Sequence, residues 1–405
     1  MDYYLLTDMT AQIGYELATA GAETFRIEET MRRVLAAYGI ECETFAIPNC
    51  VMVSLEADNG KPLMVMKRVG FHGNDLDAVE RLNALSRRIC AETPDPAVAA
   101  QWLEETSAAR RAYPIPVYYL GNFLAAAGFC PVFGGTLRDS LWAGLLGLII
   151  GFVTRRMDKL EANPFFSTIA AAFAMAVPAY LAAAFGLVDY VDAVIIGSLM
   201  ILVPGLLITN SMRDIIYGDT NSGMFRIVQV VLMAMAIALG TAAAWRLTAG
   251  IYGQTVSSTV SWPALAQAAA VFIGCSGFCI LFNVHGRGML LADIGGMLSW
   301  MVYLLCTALG CDVYAANLFA AVFAALYSET MARVRKCPAV NYLVISTLPM
   351  LPGAGVYYTM SLGLEGRMMD SVAKGLETVG VAGSLAVGIL LVSTVFRLFS
   401  HRGKK

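Results

Sequence analysis

Ile201-Leu202-Val203-Pro204-Gly205-Leu206-Leu207-Ile208-Thr209-Asn210 sets a helix breaker inside an apolar stretch long enough to cross a membrane. Proline removes one amide donor and displaces the carbonyl four residues back, here that of Met200. Hydrocarbon cannot solvate a freed carbonyl, so an interrupted span persists only where protein or a water-filled cavity satisfies it. A second interruption, Ser346-Thr347-Leu348-Pro349-Met350-Leu351-Pro352-Gly353-Ala354-Gly355, follows about 148 residues later. There Pro349 and Pro352 free the carbonyls of Ile345 and Leu348. Two breaks in matching places of two halves point to a transporter binding site.

Composition agrees with a membrane protein. Of 405 residues 58% are hydrophobic and only 14% charged, against about 25% charged in an average soluble domain. Residues 1–112 hold 11 Lys/Arg and 17 Asp/Glu, a net of −6, and the remaining 293 residues are far poorer in charge. This marks a polar domain, 1–112, followed by a membrane domain. The overall net charge of −2 gives no sign of nucleic-acid binding. The start, Met1-Asp2-Tyr3-Tyr4, lacks the basic and apolar regions of a cleavable signal peptide. Nine scattered cysteines and three histidines argue against a metal site; Cys275 and Cys279 share a helix face but read as small packing residues. No cofactor is expected. No Gly-x-x-x-x-Gly-Lys-Ser/Thr loop occurs, which argues against an ATP-driven pump.

The polar domain reads as cytoplasmic and α+β. A helical pattern runs from Thr7 to Ala37 and stops at Gly39. Alternating stretches Glu43–Leu55 and Pro62–Arg68 flank Asp58-Asn59-Gly60, a hairpin turn signal. Amphipathic helices follow near Leu76–Cys90 and Pro96–Ala109. About ten apolar spans come next, near 115–133, 138–154, 165–186, 190–211, 224–247, 263–283, 288–309, 313–332, 340–362 and 376–398. Arg110/Arg111, Arg155/Arg156/Lys159, Arg213/Arg226, Arg287, Arg333/Arg335/Lys336 and Arg397/Arg402/Lys404/Lys405 fall on one side, with Arg138, Arg367 and Lys374 as exceptions. The positive-inside rule then places both termini in the cytoplasm.

The spans divide into five plus five, residues 113–250 and 251–405. Phe133–Gly147 aligns without gaps on Phe282–Gly296, pairing Arg138 with Arg287 and Gly147 with Gly296, at an offset of 149. A repeat with an odd number of spans must reverse direction, so the halves form an inverted repeat.

The candidate substrate-binding residues surround the breaks: Pro204, Gly205, Thr209, Asn210, Arg213 and Asp214 in the fourth span, Thr347, Pro352, Gly353 and Tyr358 in the ninth. Free backbone groups beside neutral donors suit a small polar or zwitterionic solute; the plainer alternative is a packing kink. Asp293 is the candidate coupling residue, since a carboxylate in a span costs about 2.5–3.5 kcal/mol and faces the bundle interior or water. Its alternative is an ion pair with Arg287. In the soluble domain Glu23, Arg26 and Thr30 share a helix face, which reads as a solvated, ion-paired surface. It offers no nucleophile with a base.

Gly21-Ala22-Glu23-Thr24-Phe25-Arg26-Ile27-Glu28-Glu29-Thr30 resembles the helix signature of the bacterial threonine/serine exporter family. So does Val203–Asp214, followed by Gly218-Asp219 and Ser222-Gly223. Pro349–Met360 is similar to that family's smaller membrane module, here fused to the larger one. The resemblance implies a ten-span secondary exporter of small polar metabolites in the bacterial inner membrane, with threonine and serine as type substrates and succinate associated with a split relative. It assigns no role to Asp293. The expected function is export of threonine or serine driven by the proton motive force, with protons and the lipid bilayer as partners; a homo-oligomer stays open. Dicarboxylate export, a membrane-anchored hydrolase and a ligand-sensing receptor are the rivals.

Overall fold

Burial in the N-terminal segment follows the two periodicities of its sequence. A computed structural model describes residues 2–57, 60–70, 73–248 and 260–402. Two helices, α1 (Tyr3–Thr19) and α2 (Thr24–Ala37), precede strands β1 (Cys42–Ile47), β2 (Cys50–Glu56) and β3 (Pro62–Arg68), then α3 (Leu76–Glu92) and α4 (Pro96–Ala108). The sheet is antiparallel in the order β1-β2-β3. Every second residue of the central strand, Val51, Val53 and Leu55, is buried, as are Leu6, Ile13 and Leu17 of α1 and Met31, Val34 and Leu35 of α2. Asp2, Asp75 and Asp95 cap α1, α3 and α4 by accepting first-turn amides, as Asp does at helix starts.

Two details differ from expectation. The helix expected over Thr7–Ala37 is two helices, because Gly21 takes a left-handed φ of +86° and its Cα lies against the Gly73 carbonyl. A side chain there would strike that oxygen. The alternating run Glu43–Leu55 is a hairpin, turning at Pro48-Asn49 between Ile47 and Cys50, which pair with each other. Asp58 and Asn59 of the expected β2–β3 turn lie outside the described residues.

The chain separates into two compact units. The first comprises Met1–Ala112 together with Phe282–His285 and Ala332–Asn341; the second takes in Tyr113–Leu281, Gly286–Met331 and Tyr342–Lys405. Across them run twelve further helices: α5 (Ile115–Phe129, extended by a 3-10 turn to Phe133), α6 (Leu137–Lys159), α7 (Pro164–Ala184), α8 (Val191–Leu199), α9 (Gly205–Tyr217), α10 (Thr220–Thr248), α11 (Ala264–Leu281), α12 (Arg287–Ala308), α13 (Val313–Arg335), α14 (Val340–Thr347, followed by a 3-10 turn to Met350), α15 (Gly353–Leu364) and α16 (Met368–Arg402). Eight of the ten expected spans are single helices long and apolar enough to cross a membrane. The other two are the interrupted stretches, α8–α9 and α14–α15, parted at Pro204 and at Pro349/Pro352.

Small residues set the closest packing of the membrane unit, where lipid offers no hydrophobic drive and backbone approach supplies the contact. A Cβ on Gly128 would strike the amide of Gly274, and one on Gly277 would strike the amide of Ala125, so α5 and α11 touch backbone to backbone. A Cβ on Gly240 would lie 2.6 Å from the Ile169 carbonyl and 2.9 Å from the Ala172 methyl; one on Gly388 would lie 2.9 Å from the Leu318 carbonyl and 2.8 Å from the Ala321 methyl.

Candidate functional site

The two breaks have one local geometry. Pro204 sits at φ −80°, ψ 46° and Pro352 at φ −76°, ψ 44°. In each, the following glycine amide donates two residues back, Gly205 to the Val203 carbonyl at 2.9 Å and Gly353 to the Leu351 carbonyl at 2.7 Å. The proline carbonyl then accepts the first helical bond, from Ile208 and from Val356, at 3.2 Å in both. Proline supplies the fixed φ and has no amide to satisfy.

The breaks also lie against each other. A Cβ on Gly205 would come 2.9 Å from Cβ of Leu351, and one on Gly353 would come 2.6 Å from Cγ1 of Val203. Pro204, Gly205, Pro352 and Gly353 are all buried, so four expected site residues meet at one crossing. Below it α9 and α15 share an apolar cluster of Ile208 and Val356 with Val230, Ala234 and Ala382. The amides of Leu206, Leu207, Ala354 and Gly355 belong to first helical turns, where helix geometry offers no acceptor.

The remaining residues divide. Thr209 is 3% exposed and its hydroxyl has no hydrogen-bond partner among the described residues; the same holds for Ser346, fully enclosed on α14. Ser346 abuts Gly295 of α12 so closely that a Cβ at 295 would strike its Oγ. Thr347 donates to its own helix, to the Leu343 carbonyl at 2.8 Å. Asn210 is half-buried and Tyr358 is 37% exposed. Arg213 is buried, and Asp214 is paired with Arg226 of α10 at 3.0 Å. Gly218, at φ +99°, folds α10 back beside α9 and so brings Arg226 to Asp214. Ser211 reinforces the hairpin by donating to the Gly223 carbonyl at 2.9 Å.

Asp293 is 2% exposed on α12. It accepts from the Ser276 hydroxyl at 2.8 Å and the Cys279 thiol at 3.2 Å, both on α11. Arg287 is exposed, and no ion pair joins it to Asp293. Cys275, one turn from Cys279, donates at 3.8 Å to the carbonyl of Ile345, the group that Pro349 releases from its helix. These two thiols therefore serve polar partners instead of merely filling space. Among the described residues no cluster of His, Cys, Asp or Glu is arranged to hold a metal ion.

In the N-terminal unit the expected solvated face does other work. Of that face Thr30 is buried and Glu23 and Arg26 are half-buried, and beside it Glu28 accepts the amide of Ala46 at 2.8 Å, tying α2 to β1. Glu29 pairs with exposed Arg33 at 2.6 Å.

These elements define a multi-pass membrane protein with two interrupted helices crossing inside it. The family described as "Putative threonine/serine exporter" matches residues 8–248, and a second description, "Threonine/Serine exporter, ThrE", matches residues 267–395. The chain belongs to the threonine/serine exporter family and is a transporter, not an enzyme. It is 24% identical over 410 residues to the "Threonine/serine exporter" of Corynebacterium glutamicum, covering 96% of this chain and 82% of that one. It is 21% identical over 400 residues to the "Probable threonine/serine exporter" of Mycobacterium tuberculosis H37Rv, covering 95% and 75%. No solved structure matches.

Proposed function

We propose that the chain exports threonine, serine or a similar small amino acid across the bacterial cytoplasmic membrane, driven by the proton motive force, with the solute held where the two breaks cross. The observation that carries this is the reciprocal contact of Gly205 with Leu351 and Gly353 with Val203. The first-turn amides of α9 and α15, at the positive ends of two helix dipoles, attract a carboxylate. Thr209 and Ser346 hold unspent hydroxyls, and Asn210, Thr347 and Tyr358 complete the set that reads ammonium and hydroxyl groups. Arg213 and Asp214 each lie about one turn further along α9 than Thr209 and Asn210.

The ten spans are read as two five-helix repeats of opposite direction, 113–250 and 251–405, behind a cytoplasmic domain, 1–112, with both termini cytoplasmic. Packing supports this. Gly205 and Leu351 stand to Gly353 and Val203 at offsets of 148, and Gly240/Ala172 stand to Gly388/Ala321 at 148 and 149. Reciprocal pairs of this kind are what a two-fold axis produces. Coupling is assigned to one half only. Asp293, Ser276 and Cys279 correspond at 149 residues to Gly144, Ala127 and Cys130, so the proton-bearing group has no counterpart.

Counterflow in proteoliposomes with labelled threonine, serine and succinate, with and without a pH gradient, tests the reading. Threonine or serine exchange accelerated by the gradient is the expected result. Succinate exchange alone, or none of the three, would overturn it.

A further inference from the structure

We propose that Asp75 and Glu80 of α3 are positioning residues for transport, holding through Asn283 and Asn341 the two stretches of chain that lead into α12 and α14. The inference rests on the transport reading and deepens it, because α12 carries Asp293 and α14 leads into the second break.

The contacts lie within the N-terminal unit, to which Phe282–His285 and Ala332–Asn341 belong. Asp75, 6% exposed, caps α3 through the Ala78 amide at 3.0 Å, receives Arg110 Nε at 2.8 Å and receives Asn283 Nδ2 at 2.9 Å. The amide of Leu76, in the first turn of α3, donates to the Phe282 carbonyl at 3.0 Å. Asn283 takes a left-handed φ of +59° and spends both ends of its side chain: Nδ2 also reaches the Arg111 carbonyl at 2.6 Å, and Oδ1 meets His285 Nε2 at 2.8 Å. Four residues on, α12 begins.

The second contact is simpler and more telling. Asn341, 4% exposed in the first turn of α14, donates from Nδ2 to Glu80 Oε2 at 2.8 Å, while its Oδ1 has no partner among the described residues. A buried amide satisfied at one end costs more than an apolar side chain of the same size. Its single bond is therefore its contribution, and that bond goes to α3. Ile345, whose carbonyl Pro349 frees, is one helical turn further. Asp75 caps α3 and Glu80 lies five residues on within it, so one helix end sets both stretches of chain together.

The test uses the full chain in proteoliposomes, with wild type as reference. Asn341→Asp places a carboxylate against Glu80; adding Glu80→Gln restores a donor opposite it. Asn341→Asp should lower the maximal counterflow rate at least tenfold with half-saturation within twofold. Amide exchange across 342–347 should rise by a similar factor. The double variant should return both to within threefold of wild type. Unchanged flux and exchange in Asn341→Asp, no recovery in the double variant, or a loss expressed wholly in half-saturation would each overturn the proposal. If Asn341→Asp is not recovered from the membrane, Glu80→Ala, which removes only the acceptor, is read in the same way. Absence of flux in wild type would count against the transport reading, while the exchange measurement would still decide whether Glu80 holds α14.

Discussion

Two buried carboxylates of the membrane unit differ in what they can do. Asp139, fully enclosed, accepts the amides of Thr136 at 2.9 Å, Asp189 at 2.8 Å and Tyr190 at 3.3 Å. These are fixed backbone donors, and the residue closes a helix cap. Asp293 has only a hydroxyl and a thiol, and each has a second acceptor: Ser276 can turn to the Phe272 carbonyl at 3.0 Å and Cys279 to that of Met289 at 3.9 Å. It can therefore take up a proton without stranding a donor. Asp293→Asn is expected to retain threonine counterflow and lose its acceleration by a pH gradient, measured in the same proteoliposomes; undiminished acceleration would remove the coupling role. A parallel contrast exists in the N-terminal unit. Glu28→Ala orphans the Ala46 amide and should destabilise by about 1–3 kcal/mol, whereas Glu29→Ala breaks an exposed pair and should change stability by about 0.5 kcal/mol or less, as thermal melting of the purified chain would show. At this scale the sequence was half legible. A carboxylate in an apolar run announces Asp293, but its donors come from another helix, and nothing local tells a packing cysteine from one that donates to Asp293.

Elements were read well where one residue type governs the backbone. Proline located both breaks, and apolar length located all eight continuous spans, because each signal is local. What stayed hidden is which elements meet. That Leu351 fills the space left by the missing side chain of Gly205 depends on the crossing itself. The split of α1 from α2 was missed for the same reason, since Gly21 is required by the approach of Gly73. The crossing gives a prediction with an internal control. Gly205→Ala should overpack against Leu351 and cost about 1–3 kcal/mol, lowering both melting midpoint and counterflow. Leu351→Gly, which removes the Cβ that the new methyl would meet, should cost less on top of Gly205→Ala than it does alone, because substitutions in contact are not additive. Independent, additive losses would mean that the two breaks do not bear on each other.

For the whole molecule, direction through the membrane is the quantity on which the inverted repeat stands. Gly218 and Gly366 lie 148 residues apart, each directly after an interrupted stretch, each in the left-handed region at φ +99° and +80°. Each turns the chain into a long helix, α10 after Gly218 and α16 soon after Gly366. If both interrupted stretches cross the membrane in opposite senses, these turns end on opposite sides, Gly218 in the cytoplasm and Gly366 outside it. If either stretch instead enters and leaves by one face, the sides of all later connections change. Charge alone decides poorly here: Arg213 and Arg226 flank the first turn, but Arg367 and Lys374 flank the second, against the usual bias. A phosphatase that is active only outside the cytoplasm, fused after Gly218 or after Gly366, should be inactive at the first position and active at the second. Equal activity at both would leave a molecule of two similar halves without reversed direction, and the two-sided crossing proposed for the solute would go with it.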